Sequence, residues 1–580
     1  LVYYHMKKIF AFTLFLGAAF SLTSCSGSFL DQDATSTLTD DYVQQQDQIE
    51  GLVTSAYAGL GNDHYTYPFN LWPYGDVRSD DAKKGGRDET DCINYHFLEI
   101  SEGVNSSTDG LDQLWYHLYI GIKRCNVALQ SLELPANSNY PNKAEEIAEM
   151  KFLRAHFYYK LKILFKFVPW ITEEDIDKDD YATVGNRVYS NEDLWKKIIA
   201  DFEDAYNALP ATQSQVARPT KYAAAAYLAK CYSWLAYPEG DDTNTFTGTI
   251  NATYMQKVLD YANIVINSGK YALQPDFASN FLPTADGGIE NGVESIWSIQ
   301  FSRNDGTKFG RLNWGNALNW PQGCGGCDFH KPSQDLVNAY KTVNGLPDFD
   351  HFEDKDYDYT TKNSEVDPRL YHTVAMPGYP YKYDTDTIYK KSWIRNEAVY
   401  GDYASLKECC SPNSTEYIKI DPFYATTIDQ IELRYADILL LKAEAEIELN
   451  SNIPDAMSII NQIRTRAGNS QSMSLIKGWA TNCKISTYPT TGVSQDYART
   501  ALRWERRLEF AMEGQRFFDL VRWGIAKSTL NNFYKHEVKI SPYYSNAKFD
   551  TDHDEYCPIP YNQIYYAGGV DGVYKQNPGY

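Results

Sequence analysis

"WERRLEFAMEGQRFFDLVRWG" occupies residues 504–524 and sets carboxylates and guanidinium groups among aromatic and aliphatic side chains. Gly514 divides it into a helix predicted to end near Met512 and a shorter second helix. Glu513, Arg516, Asp519 and Arg522 fall three residues apart with alternating sign, which places them along one helix edge within pairing reach. Phe517, Phe518, Leu520, Val521 and Trp523 supply the apolar side. Acids and arginines this dense suit an active site for sugar or phosphate chemistry, and they equally suit a buried ion-pair lattice. Pairing makes tolerable the charges that would otherwise be costly to bury. The stretch is therefore read as an internal brace, with any ligand held elsewhere.

The helices this brace would hold are legible upstream. Apolar residues repeat at three and four over 111–132, 143–166, 191–209, 220–237 and 254–268, and again over 433–449 and 454–467. Asn191 opens one of these segments and Pro210 closes it; Pro454 and Gly468 punctuate another. Small residues such as Ala155 and the run Ala223 to Ala226 let helices approach closely. Helix hairpins with small residues at fixed places form a tetratricopeptide-like pattern, in which each pair stacks on its neighbours. The expected fold is mainly α: stacked tetratricopeptide-like helix pairs with a loop-rich, irregular second half.

Between residues 269 and 431 the apolar period disappears, and Gly, Pro, Asn, Tyr and Trp dominate. A similar loop-rich stretch covers 62–107. Disordered chains are depleted in aromatics, whereas this one has 47 Tyr and 12 Trp among its 580 residues. The long loops are thus expected to be ordered and functional. Tyr and Trp also make wide, partly wet contact surfaces. A formal net charge of −22 argues against nucleic-acid binding, since such a chain repels phosphate backbones.

The amino-terminal residues read as an address. Met6-Lys7-Lys8 is a positive segment with Met6 as the start, and residues 9–20 form an apolar core too short to span a bilayer. Leu22-Thr23-Ser24-Cys25 resembles the bacterial lipobox, making 1–24 a lipoprotein signal peptide and Cys25 the lipid-attachment residue. The alternative is an ordinary secretory signal with a chance cysteine. Beyond Cys25 the cysteines are Cys92, Cys125, Cys231, Cys324, Cys327, Cys409, Cys410, Cys483 and Cys557, an odd number that leaves at least one thiol unpaired. Cys324-Gly-Gly-Cys327 is read as a loop disulfide in preference to a metal or redox pair. The acidic runs 348–359 and 550–555 could hold a hard cation such as calcium, but lack the spacing of an EF-hand loop and are read as solvated loops. No metal site and no cofactor is expected.

At this point the chain resembles the SusD/RagB family of outer-membrane nutrient-uptake lipoproteins. The matching pieces run in order: the Cys25 lipobox with Phe29-Leu30-Asp31, "LWYHLYIGIKRCN" (114–126), "EIAEMKFLRAHFYYKL" (146–161), "RPTKYAAAAYLAKCYSWL" (218–235), "RYADILLLKAEAEIEL" (434–449), "INQIRTRAG" (460–468), the opening stretch, and "CPIPYNQI" with the terminal "NPGY" (557–580). The resemblance implies a division into 25–270 (helical repeats), 271–430 (ligand-facing loops) and 431–580 (carboxy-terminal helices). It implies a non-catalytic surface lipoprotein of the outer membrane, facing the cell exterior. Such a protein binds a polysaccharide, oligosaccharide or peptide and acts as a lid on a SusC-like TonB-dependent transporter.

By position, the family's ligand loops map onto Trp72, Tyr74, Asp76, Arg78 and Arg87, then Tyr95, His96 and Asn105, then Trp314, Asn319 and Trp320. Aromatic planes would take the C–H faces of a sugar, and Asn, Asp, Arg or Tyr its hydroxyls. Trp72, beside Pro73, could equally plug the core beneath a loop. Trp314 and Trp320, in a Gly/Asn-rich stretch, are expected to stack on ligand. Two other readings stand beside this one: a lipid-anchored glycoside hydrolase using acids between Asp76 and Asp91, and a helical-repeat scaffold that binds only peptide or protein.

Overall fold

The computed structural model describes residues 46–176, 183–306, 311–420 and 422–580. The signal peptide, Cys25 and the Phe29-Leu30-Asp31 motif lie outside the described residues. Among the described residues no helix is long and apolar enough to cross a membrane.

The scaffold helices are α1 (Ile49–Ala58), α2 (Ile93–Ile100), α3 (Leu111–Glu133), α4 (Lys143–Phe165), α5 (Asn191–Ala208), α6 (Lys221–Ala236), α7 (Ala252–Asn267), α8 (Tyr435–Glu448), α9 (Ile453–Gly468), α10 (Gln495–Phe510), α11 (Arg516–Arg522), α12 (Ala526–Ile540) and α13 (Tyr561–Tyr566). Short strands join the loops: β1 (Ala82–Gly85), β2 (Ser295–Ile299), β3 (Phe329–Pro332), β4 (Ile418–Ile420), β5 (Phe423–Ala425) and β6 (Gln430–Arg434).

The helix starts follow from side chains that satisfy otherwise orphaned backbone donors. Ser190 accepts from the Asp193 N–H, Thr220 from Ala223, Asn251 from Thr253 and Tyr254, and Ser494 from Tyr497. From α3 to α7 each helix packs on the next, and α1 packs on α3. Small residues set the spacing: Ala223 to Ala226 are buried, and a Cβ on Gly121 would come within 2.5 Å of the Phe157 ring.

After α7 the chain leaves for the loop-rich insertion. It returns as α8, which packs directly against α7, and α9 and α10 continue the stack. β2 and β6 pair antiparallel across the neck of the insertion, Gln430 opposite Ile299 and Arg434 opposite Ser295. One core cluster contains Leu161, Tyr227, Trp297, Tyr340, Leu441 and Phe517. The changes of texture near 270 and 430 therefore fall inside one packed body.

In the stretch 504–524, α10 stops at Phe510, two residues before the expected end. Its last carbonyls are taken by cations from elsewhere: Lys407 Nζ donates to Glu509 O at 3.0 Å and Arg434 Nη2 at 3.2 Å. Met512 and Gly514 then adopt left-handed backbone (φ 64° and 75°). The turn fits against residues 70–76 so closely that a Cβ on Gly75 would lie 1.9 Å from Gly514 O.

The expected edge of mutually paired residues is only partly formed. Asp519 and Arg522 pair at 2.9 Å, but Glu513 pairs with Lys407 and Arg434, and Arg516 pairs with Asp80. The lattice is nonetheless buried and extensive. Arg434 bridges Glu294 and Glu509, Arg369 bridges Asp367 and Glu505, Arg506 bridges Asp437 and Asp519, and Arg507 bridges Asp81 and Asp335. Burial alone would raise these carboxyls; the facing guanidiniums bring Asp80, Glu444 and Glu509 down to about 2.

The expected Cys324–Cys327 disulfide is absent, and the nine described cysteines are free thiols. Gly325, with φ of 82°, turns the chain between them. Cys324 packs with Trp320, Tyr381, Cys409 and Cys410, while Cys327 packs on the main core. In the acidic runs carboxylates serve structural bonds: Asp358 accepts from nearby Thr360 and Thr361, and Asp552 from the distant Asn244 N.

Candidate functional site

The two loop regions meet. β1 pairs with β3, with Ala82 opposite Pro332 and Gly85 opposite Phe329. Asp91 pairs with Arg395 at 3.0 Å, and Asn396 donates to Arg87 O. At this junction most of the residues expected to face a ligand are interior. Trp72, Tyr74, Asp76, Arg78, Tyr95, Asn319 and Trp320 are buried, Trp320 to 1% exposure. With no face open, they cannot stack on or rim a ligand in this conformation.

Their contacts give them a different role, that of positioning the loops. Trp72 Nε1 donates to Gly315 O at 3.0 Å, fixing the segment that carries Trp314. The Tyr95 hydroxyl donates to Tyr65 O at 3.1 Å. Arg78 donates to Asp554 O and lies over the Phe517 ring, tying the first loop to the carboxy-terminal segment. His330 is clamped between Asp76 (3.0 Å from Nε2) and Glu408 (2.7 Å from Nδ1). Burial disfavours its charge, but Glu408 and Asp76 outweigh that and raise it to about 9. Asp76 also accepts from Gly514 N at 2.7 Å, and Asn319 donates to Glu408.

Most other acids of the 76–91 loop are similarly engaged, and Glu89 is exposed. Asp80 faces Arg507 and Arg516, Asp81 faces Arg507, and Asp88 holds Thr90 and Arg87. Of the remaining residues singled out, Arg87 and Asn105 are exposed and Trp314 is half-buried. His96 packs on Tyr543, with ring centroids 4.3 Å apart.

Above this foundation runs a line of half-buried rings that residue-by-residue reading did not name. His117 on α3 stacks on Tyr67 at 4.5 Å, with the planes 6° apart. Tyr67 lies 5.6 Å from His64, His64 lies 3.8 Å from Tyr65, and Tyr65 meets Phe423 on β5 at 4.6 Å. On the same hairpin Tyr424 stacks on Tyr417 at 4.4 Å, and Tyr417 leans on Trp320 at 5.3 Å. Trp314 joins this edge through its backbone neighbours. Asn313 N donates to Thr426 O at 3.0 Å, and a Cβ on Gly315 would come within 2.8 Å of Asp63.

Burial lowers both His64 and His117; the second ring of the pair opposes charge on His64, and Arg124 adds to the shift of His117. At neutral pH both are neutral rings that offer aromatic faces. Behind the line is a polar cavity of about 90 Å³ lined by Asn70, Asn313, Asn316, Lys407, Glu408 and Glu513, among others. It is smaller than the ~300–1,000 Å³ of ordinary ligand pockets.

The signal for these rings was in the sequence: "HYTYPF" (64–69) and "PFY" (422–424) fall inside the two loop regions. Only the fold shows that they meet.

A stack of helix pairs carrying a loop-built aromatic surface defines a binding protein on a repeat scaffold. A sequence profile described as the SusD family matches residues 293–580, and one described as "Starch-binding associating with outer membrane" matches 28–233. The chain belongs to the SusD/RagB family, a glycan-binding family whose members associate with the outer membrane. Among its relatives, SusD-like protein P2 of Formosa agariphila is 24% identical, with 98% of this chain and 99% of that one covered. A SusD homolog from Bacteroides thetaiotaomicron has a similar solved structure (TM-score 0.69, 22% identity, 93% of this chain and 99% of that one). A structure titled laminarin-binding SusD-like protein superposes with a TM-score of 0.65 at 21% identity, covering 92% of this chain and 99% of that one.

Proposed function

We propose that the chain is a lipoprotein anchored through Cys25 to the outer face of the outer membrane. It captures a polysaccharide or oligosaccharide and, as a lid, passes it to a SusC-like TonB-dependent transporter. The observation that carries this reading is the continuous ring line from Phe423 through Tyr65, His64 and Tyr67 to His117, set where the two loop regions join. Neutral aromatic planes suit the C–H faces of sugars and call for no activated nucleophile. The laminarin-binding neighbour of the same fold supports a saccharide as the ligand class. Binding is an equilibrium, and the chain's part in import is capture and release.

The hydrolase reading is disfavoured because Asp76, Asp80, Asp81 and Asp91, four of the acids it would use, are engaged in structural pairs. The test is calorimetric titration of the mature chain with neutral oligosaccharides of several linkages, alongside a product assay. Tyr65→Ala and Phe423→Ala are each expected to weaken binding by roughly three- to tenfold while the melting temperature stays within a few degrees of the parent's. Hydrolysis of any member, or affinity for none, would overturn the reading.

A further inference from the structure

The ring line does not stop at His117. Tyr116, next to it on α3, meets the His117 ring edge-on at 5.2 Å. Tyr116 in turn forms the lip of a groove of about 360 Å³ between α3 and the carboxy-terminal segment, within the ~300–1,000 Å³ range of ligand sites. Trp115, Tyr119, Tyr566 and Tyr574 supply its aromatic walls. Apolar rings are unusually open on this side: Tyr116 is 52% exposed, Tyr561 55%, Tyr565 62% and Tyr566 71%. Exposed aromatics gathered this way mark an interaction site.

The groove's polar rim narrows the class of occupant. Asp112 accepts from the amide nitrogens of Asn562 (3.0 Å) and Gln563 (2.9 Å). Each amide also carries an oxygen that accepts hydrogen bonds. Lys123 stands on the same rim, exposed. A helix has its backbone groups already paired and could meet these groups only through matched side chains; sugar hydroxyls, which both donate and accept, would pair with them while the ring faces met the tyrosines. The chain's net charge of −22 opposes an anionic polymer. Asn105 also belongs to this end, because the neighbouring Ser106 O accepts from Tyr561 N at 2.7 Å.

We propose that the groove between α3 and α13 is a second, remote subsite for the same neutral glycan, so that one extended chain lies along the ring line, crosses α3 over Tyr116 and ends in the groove. This rests on the saccharide-binding reading above, and it assigns the ligand to long neutral polymers in preference to short oligosaccharides.

The test compares affinity for a trisaccharide and a heptasaccharide of one linkage, using malto-, laminari-, cello- and manno-oligosaccharides in parallel. The parent chain is expected to bind the heptasaccharide of its preferred series about tenfold or more tighter than the trisaccharide, since added rings reach added subsites. Tyr566→Ala alters an exposed side chain and Gln563→Ala a half-buried one, and each is expected to remove roughly three- to tenfold of that length-dependent gain. Tyr65→Ala is expected to weaken both ligands. Hydroxyl-radical footprinting should show Tyr566 protected by the heptasaccharide and unprotected by the trisaccharide.

A heptasaccharide advantage untouched by Tyr566→Ala and Gln563→Ala would overturn the remote subsite while leaving the ring line standing. So would protection of Tyr566 by a purified transporter barrel and by no sugar, since the groove would then be a protein interface. Binding of no member of any series would overturn the saccharide reading itself, and the subsite with it.

Discussion

His330 holds a carboxylate on each ring nitrogen, Asp76 on one side and Glu408 on the other, with no solvent exposure. Asp76 reaches on to the Gly514 backbone and Glu408 to Asn319. One imidazolium thus links the first loop, the insertion and the turn between α10 and α11. Its proton affinity is raised to about 9, because Glu408 and Asp76 more than offset burial. The sign follows from linkage. Between the unfolded value of ~6.5 and about 9 the folded state holds the extra proton, so this contribution is complete below ~6.5 and disappears as pH rises through 9. Denaturant titration of the parent and of His330→Gln is expected to show a stability gap that is largest below pH 6.5 and nearly closed at pH 10. A gap independent of pH would mean that His330 acts by shape alone.

At the scale of elements, α10 and α11 carry the arginines and acids that lock α8, α9 and the insertion together. Arg434, at the end of β6, faces buried Glu294 and Glu509 at 2.7 and 2.6 Å and half-buried Glu513 at 2.9 Å. Removing one partner of a buried pair leaves charge without compensation and costs about 3–5 kcal/mol. Arg434→Met is expected to lower unfolding free energy by that amount. Lys196→Met, which breaks an exposed pair with Glu192 on α5, should change it by ~1 kcal/mol or less. Equal effects would show that the lattice adds no more than surface charge does.

The same elements show what sequence could and could not deliver. The helices were legible because the apolar period is a local signal; Asn191, read as an opening residue, follows the actual cap Ser190 by one position. α8 begins later than its apolar run because Leu433 and Arg434 belong to β6, whose partner strand lies more than a hundred residues away. The i,i+3 spacing located the brace but not its partners, since Glu513 and Arg516 turn away from each other to Arg434 and Asp80. Trp72 and Trp320 looked like ligand planes because loop texture implied exposure. The loops instead fold over them, and the accessible planes are tyrosines, histidines and Phe423, which composition alone does not distinguish from core.

For the whole molecule, two populations of buried carboxyls oppose each other. Asp80, Glu444 and Glu509 are held near 2 by facing arginines. Their contribution is complete above the unfolded value of ~4 and is lost as pH falls from 4 towards 2. Glu149, Asp429 and Glu555 are raised to about 7, chiefly by burial. They sit protonated in the folded state while the unfolded chain ionises at ~4, so stability falls as pH rises from 4 to 7. His330 extends that fall to about 9. The net charge of −22 acts in the same direction, because self-repulsion relaxes as carboxylates take up protons. Together these slopes place the maximum of stability on the acid side, between roughly pH 4 and 5.5. Scanning calorimetry in steps from pH 2.5 to 9.5 at constant ionic strength should find the highest melting temperature in that interval. The temperature should drop steeply below pH 3, where the arginine-paired acids protonate, and more gently towards pH 9. A maximum at neutral or alkaline pH would mean that Glu149, Asp429 and Glu555 are ionised in the folded protein and that water reaches them.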